Sequence, residues 1–223
     1  MSSKIQLSYW ALRGRFEPIK MLVEYLEIPY ELKNYEIENW QEWFMEDKPK
    51  LNSNFPNLPY LKNPLTNEVI TESESICLYL CNYAKRMDFI GEEFQDRLNI
   101  SQIKGVVDDL RQNIGLIAYD PNFNEKFKKE QLEKTVYPKL ILVNDELKKY
   151  QFLNKGKLCY VDFYFYEFLN VLIRMEPSAI DKYQILKDYM LKIENIESIK
   201  KYQESDRYMK NGKLFGPTAT WQG

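Results

Sequence analysis

Histidine is absent from all 223 residues. That single absence removes the Ser-His-Asp and Cys-His nucleophile pairs, a His general base and a His-ligated zinc. Any chemistry must rest on Tyr, Arg, Lys, Ser, Cys or carboxylates. Cysteine is scarce too: Cys77, Cys81 and Cys159 are an odd number without C-x-x-C spacing, which fits a reducing compartment and neither a disulfide framework nor a metal site. No run approaches the ~18 apolar residues of a membrane span, and the start Met1-Ser2-Ser3-Lys4 carries no signal-peptide core, so the expectation is a soluble, cytoplasmic protein without membrane partners. Net charge is missing as well. Lys plus Arg (31) nearly cancels Asp plus Glu (33), which argues against nucleic acid as the partner, because phosphate binding needs clustered positive charge.

What is present reads as two kinds of structure. Lys4 to Tyr9 alternates apolar and polar residues, the period of a strand, and Arg13-Gly14 supplies a turn. Phe16, Ile19, Leu22, Val23 and Leu26 then fall on one face of a helix whose start is fixed near Arg15–Glu17, because Pro18 is tolerated only in a first turn. Tyr30 to Tyr35 is a second strand and Trp40 to Lys48 a short helical or irregular piece. Tyr60-Leu61-Lys62 and Val69-Ile70-Thr71 are two further strands around a turn, and Glu72 to Arg86 is a helix. After a linker at 87–94 the periodicity is helical only: Gln95–Tyr119 with Leu98, Val106, Leu110, Ile114 and Ile117, then Gln131–Tyr150, then Val161–Met175, apolar nearly all round and expected to be buried. Helices near Tyr183–Ile193 and Ile196–Gln203 precede a tail containing Gly and Pro. The fold class expected is an α/β N-terminal domain (1–86) joined through 87–94 to an all-α C-terminal domain (95–223).

Three spots carry possible chemistry. In Asn57-Leu58-Pro59 the proline enters a strand and is a candidate for a cis peptide bond, which costs only about 0.5–1 kcal/mol before Pro. A turn there offers the Leu58 backbone N–H and C=O as an edge for a short peptide, although on local sequence alone an ordinary turn is the favoured reading. In Thr71-Glu72-Ser73 a strand runs into a helix. Ser73 can hold an anion at the helix N-terminus and Glu72 can accept from an ammonium, while a simple helix cap is the competing reading. Tyr9-Trp10 ends the first strand, where ligands of α/β proteins tend to lie.

In this order and spacing the spots resemble the cytosolic glutathione transferases, and most closely their mu-like class, over essentially the whole chain. The residues that carry the resemblance are Ser8-Tyr9-Trp10 with Arg13-Gly14, Leu22-Val23-Glu24-Tyr25, and Asn54-Phe55-Pro56-Asn57-Leu58-Pro59-Tyr60-Leu61. Further along they are Ala118-Tyr119-Asp120-Pro121-Asn122-Phe123, Tyr160-Val161-Asp162-Phe163, Met175-Glu176-Pro177 and the tail with Trp221. The resemblance implies a thioredoxin-like N-terminal domain that holds glutathione as co-substrate, with no other cofactor and no metal. It also implies a helical domain that builds a pocket for hydrophobic electrophiles, and a homodimer keyed by Phe55. Tyr9 matches the tyrosine whose hydroxyl donates to the glutathione sulfur. Trp10, Lys48, Asn57, Leu58, Glu72 and Ser73 match glutathione contacts, with Pro59 as the cis-proline. Asp109 matches an acid reaching glutathione from the opposite subunit, Tyr119 a pocket tyrosine that aids addition, and Arg111 the pocket rim.

The departures from the mu pattern are as telling. Glu72 stands where that class has Gln, though other classes use Glu. Arg15 replaces an apolar residue and, as in alpha-like transferases, becomes a candidate second stabiliser of the thiolate. The segment Tyr35–Phe55 is shorter than the mu pattern, which removes the loop over the site and leaves Trp43 or Phe44 as the match for a glutathione-contacting tryptophan. Trp43 is preferred on chemistry. Cys159 stands where the family has a Ser or Thr cap, which casts about 1 kcal/mol of doubt on the start of that helix. A non-catalytic carrier of the same fold and a glutathione-dependent isomerase are the alternatives to a conjugating enzyme, and the intact Tyr9 and Asn57–Pro59 edge disfavour the carrier.

Overall fold

A computed structural model of the chain describes residues 4–223. Four strands form one sheet in the order β2-β1-β3-β4: β1 (Ile5–Trp10), β2 (Tyr30–Tyr35), β3 (Tyr60–Lys62) and β4 (Val69–Thr71). β1 and β2 run parallel, with Ile5 opposite Tyr30 and Tyr9 opposite Asn34, so the crossover between them must be a helix. That helix is α1 (Glu17–Tyr25), with Pro18 inside its first turn as its missing N–H requires. β3 lies antiparallel to both β1 and β4, and α2 (Ser73–Tyr83) follows β4 directly.

Beyond this unit come α3 (Phe94–Tyr119), α4 (Glu125–Gln131), α5 (Tyr137–Lys149), α6 (Tyr160–Met175), α7 (Gln184–Glu194) and α8 (Glu197–Gln203). The core is continuous across both units. Ile5 and Leu7 of β1, Ile19, Leu22 and Val23 of α1, and Phe163, Phe165 and Leu169 of α6 all belong to it. α6 is buried nearly all round, in line with its sequence. Among the described residues no helix is long and apolar enough to cross a membrane.

Two readings of the sequence need correcting. The helical run expected at Gln131 starts earlier, at Glu125, where the Asn124 side chain caps it by accepting from the Phe127 N–H at 3.0 Å. Its first turns, Glu125-Lys126-Phe127-Lys128-Lys129-Glu130-Gln131, are almost entirely polar and carry little apolar periodicity. In α3, Leu98 is 41% exposed, and Ile100, Val107, Leu110, Ile114 and Ile117 carry the buried face instead. The C-terminal tail is ordered against α3: the Trp221 N–H donates to the Ala118 carbonyl at 3.0 Å, and the Leu214 N–H to that of Gln222 at 2.9 Å.

The weak cap at Cys159 is offset by Asp162. Its carboxylate accepts from the Cys159 N–H at 2.8 Å, the Leu153 N–H at 3.0 Å and the Tyr189 hydroxyl at 2.9 Å. Burial pushes the Asp162 carboxyl up to about 6, against the pull of those donors. An Asp162→Asn variant turns an NH₂ toward one of these buried donors. We expect a loss of about 2 kcal/mol, within the range for leaving one buried donor unpaired, read as a lower denaturant midpoint with an unchanged m-value.

Candidate active site

A cleft of about 1320 Å³ opens between the sheet unit and the helical unit. Its floor is set by the end of β1. Tyr9 is 8% exposed with its hydroxyl at the cleft, and the Arg15 backbone N–H donates to that hydroxyl oxygen at 3.3 Å. The loop reaches this close only because residue 14 has no side chain. Gly14 sits at φ +43°, and a Cβ there would lie 2.9 Å from Tyr9 Oη and 2.5 Å from Leu12 Cδ1. Burial pushes the Tyr9 hydroxyl above the ordinary phenol value, while the Arg15 N–H and the charges of Arg15 and Arg111 pull it back. At neutral pH Tyr9 is therefore a protonated donor, and with its oxygen held by Arg15 its hydrogen is free to point into the cleft.

One wall is the β4–α2 junction. Glu72 adopts φ 68°, a left-handed conformation that a non-glycine residue holds only under constraint. Both its side chain and its backbone are held. The Asn57 amide donates to Glu72 Oε1 at 3.0 Å, and the Ile76 N–H donates to the Glu72 carbonyl at 3.0 Å. Asn57 in turn accepts from the Leu58 N–H at 2.9 Å, next to the cis Leu58–Pro59 bond. Asn57, Leu58, Pro59, Glu72 and Ser73 thus form one connected edge, of which Glu72 and Ser73 line the cleft itself.

The opposite wall is a single face of α3. Asp108, Arg111, Gln112, Gly115, Leu116 and Tyr119 recur at helical spacing and all line the cleft. The Arg111 guanidinium lies 4.7 Å over the Tyr164 ring. The Tyr119 hydroxyl accepts from the Gly216 N–H at 3.0 Å, which ties the tail to this wall, and the Phe215 ring meets Tyr119 edge-on at 5.7 Å.

Among the sequence-predicted residues, Tyr9, Trp10, Arg15, Glu72, Ser73, Arg111 and Tyr119 converge on the cleft. The preference for Trp43 is corrected. Its indole is 2% exposed and packs between Tyr35 (5.4 Å) and Tyr60 (5.9 Å) in the core, whereas Phe44 is 45% exposed and lines the cleft beside Trp10 (5.9 Å). The segment winds as a π-turn over Glu42–Asp47, and that winding puts Trp43 inward and Phe44 outward. Lys48 does not reach the cleft lining, but its ammonium sits 5.5 Å from the Phe44 ring at the rim. Asp109 also lies outside the lining, exposed and paired with Lys139 on α5.

Several cleft residues escaped the sequence reading: Trp40, Leu12, Phe168, Phe215 and Glu167. Trp40 stands four residues before Phe44, a helical pair whose rings meet at 6.0 Å, and that spacing was the available signal. Glu167 had none. It is 1% exposed on α6 and takes both arms of the Arg13 guanidinium, at 2.9 and 2.5 Å. Arg13 also donates to the Met209 carbonyl through Nη1 (3.0 Å), and its backbone N–H donates to that of Lys213 (2.9 Å). Burial opposes the charge on Arg13, but Glu167 holds it above its ordinary value. This pair clamps the loop carrying Gly14 and Arg15, helix α6 and the tail carrying Phe215 into one frame.

Comparison with known proteins agrees with the geometry. The family model for the glutathione S-transferase N-terminal domain matches residues 5–82, and that for the C-terminal domain matches residues 108–206. The class-mu 26 kDa isozyme 1 of Fasciola hepatica is 35% identical over 205 residues, covering 92% of this chain and 89% of that one. Glutathione S-transferase Mu 1 of Rattus norvegicus is 33% identical over 219 residues, covering 96% and 97%. Among solved structures, the glutathione S-transferase Blo t 8 superposes with a TM-score of 0.82 at 27% identity, over 98% of this chain and all (100%) of that one. Prostaglandin synthase D of Nilaparvata lugens gives 0.76 at 26% identity, over 91% and 98%. With its thioredoxin-like N-terminal unit, its helical C-terminal unit and mu-class relatives at this identity, the chain belongs to the glutathione S-transferase family.

Proposed function

We propose that the protein converts the thiol of glutathione to a thiolate and conjugates it to hydrophobic electrophiles, a detoxifying chemistry. The observation that carries this reading is Tyr9: a protonated hydroxyl at the cleft floor, its oxygen held by the Arg15 N–H, with Leu116, Tyr119 and Phe215 among the residues across the cleft. In this reading the unit 1–86 holds glutathione. The Asn57–Pro59 edge takes the peptide backbone of the tripeptide, Ser73 at the start of α2 takes its γ-glutamyl carboxylate, and Glu72 takes the ammonium. Trp10, Phe44 and Lys48 border the opposite, glycyl end. The unit 95–223, joined through 87–94, supplies the electrophile wall with Arg111, Tyr119 and the tail. Tyr9 is the thiolate-stabilising donor, and Arg15 adds positive potential beside it.

A solved structure named prostaglandin synthase D shares the fold, so the fold alone does not fix the reaction. A cytoplasmic homodimer completes the proposal. Phe55 (76% exposed), Phe94 (72%) and Leu98 (41%) leave apolar surface for a second copy, and Asp109 stands exposed on α3 to reach its neighbour's glutathione. The test is a rate measurement. The protein is expected to accelerate chloride displacement from 1-chloro-2,4-dinitrobenzene by glutathione, with S-methylglutathione as a competitive inhibitor. Binding of glutathione without acceleration, over several electrophile classes, would leave the carrier reading standing in its place.

A further inference from the structure

The cleft lining contains four carboxylates, and each already has a partner. Glu167 is held by Arg13 through two bonds. Asp108 accepts from Lys104 at 2.6 Å, Glu74 from the Tyr160 hydroxyl at 2.8 Å, and Glu72 from Asn57 at 3.0 Å. The cations are not so matched. Lys104 is engaged, but the guanidinium groups of Arg15 and Arg111, both in the lining, make no ion pair among the described residues. Arg111 is the more constrained of the two. Its central carbon lies 4.7 Å from the centre of the buried Tyr164 ring, and it lines the cleft with a fork of N–H donors suited to a planar anion. It stands next to Gln112 and about one and two helical turns before Leu116 and Tyr119, on the wall assigned to the electrophile. Its charge is also felt at the Tyr9 hydroxyl across the cleft.

An unpaired guanidinium set beside Leu116, Tyr119 and Phe215 suits one class of hydrophobic molecule better than the rest. We propose that the electrophile half of the cleft selects electrophiles carrying a fixed carboxylate away from the reacting bond, such as a halogenated nitroaryl acid, and that Arg111 is the residue that reads the charge. This rests on the conjugation reading above and narrows its substrate class. The carboxylate takes no part in bond making. For an aryl chloride, the thiolate forms the C–S bond, the C–Cl pair leaves as chloride, and the carboxylate stays on Arg111 throughout. The contribution is therefore binding shared by ground and transition states, which appears in KM more than in kcat.

The experiment compares 4-chloro-3,5-dinitrobenzoate with 4-chloro-3,5-dinitrobenzamide, equal in shape and different in charge. Each kcat/KM is divided by that compound's own uncatalysed rate constant with glutathione, so intrinsic reactivity cancels. A hydrogen-bonded charge pair predicts an acid-to-amide ratio of roughly tenfold to a hundredfold in the unmodified protein, falling with added salt. Arg111→Gln should bring the ratio close to one, chiefly by raising KM for the acid, and Arg111→Lys should retain part of it. A ratio near one in the unmodified protein overturns the inference, as does a high ratio that Arg111→Gln leaves in place. If neither these compounds nor 1-chloro-2,4-dinitrobenzene is conjugated, the conjugation reading itself fails and this inference falls with it; if only 1-chloro-2,4-dinitrobenzene is conjugated, this inference alone is overturned. A conjugated amide with no preference for the acid removes this inference alone.

Discussion

Replacing Glu167 by Ala is expected to cost about 3–5 kcal/mol, a large share of the roughly 5–15 kcal/mol that holds a typical domain together. The loss does not come from the attraction alone. Arg13 is 2% exposed, and without Glu167 its charge stays buried with no carboxylate bonded to it, left to the Met209 carbonyl and the Tyr208 ring at 4.7 Å. Taking the charge out of water was tolerable because two short parallel bonds met it. The same argument predicts the behaviour of the double variant. Arg13→Met with Glu167→Leu removes both charges and refills the space, so it should be clearly more stable than Glu167→Ala alone. It should not regain everything, because Arg13 also fastens the tail through Met209. Denaturant melts of the three proteins check this. A midpoint for Glu167→Ala within about 1 kcal/mol of the parent would mean the clamp is ornamental, as exposed ion pairs are.

Tyr9→Phe has the second large expected effect, on rate instead of stability. A thiol of ordinary acidity has a pKa near 8.5 and is only about 3% thiolate at pH 7. Lowering that value by about two units needs roughly 2.7 kcal/mol of preferential stabilisation, which lies within the 1.5–3 kcal/mol of one hydrogen bond to a charged acceptor. Tyr9 is placed to supply it: burial keeps its hydroxyl protonated, and Arg15 orients its oxygen. Loss of the hydroxyl should cut conjugation roughly 25-fold at pH 7, the ratio of the two thiolate fractions. The sign of the pH dependence follows. In the parent the rate levels off once pH passes the lowered thiol pKa. In Tyr9→Phe it keeps climbing toward pH 8.5 and the gap narrows. A constant ratio between the two proteins across this range would place Tyr9's role elsewhere than in thiolate formation.

How far the sequence carried this reading differs by kind of residue. Strands and helices with a clean apolar period, such as β1 and α6, were legible because one buried face imposes the spacing. The site was legible where a motif fixes a backbone shape, as at Asn57-Leu58-Pro59 and Thr71-Glu72-Ser73. It was not legible where long-range packing decides which way a side chain points. Trp43 and Phe44 are neighbours of similar chemistry, and only the π-turn over Glu42–Asp47 sends one to the core and the other to the cleft. Arg13 read as a turn residue because its partner, Glu167, lies 154 positions away. The free guanidinium of Arg111 became meaningful only once the surrounding carboxylates were seen to be occupied.

The central claim is that this cleft makes a thiolate, and ultraviolet absorbance of glutathione bound to the protein tests it most directly. A pH titration should show the thiolate band appearing about two units below the pH at which free glutathione develops it, and Tyr9→Phe should move it back. Glutathione bound with an unshifted thiol would contradict the account and leave the protein a holder of glutathione instead of an activator of it.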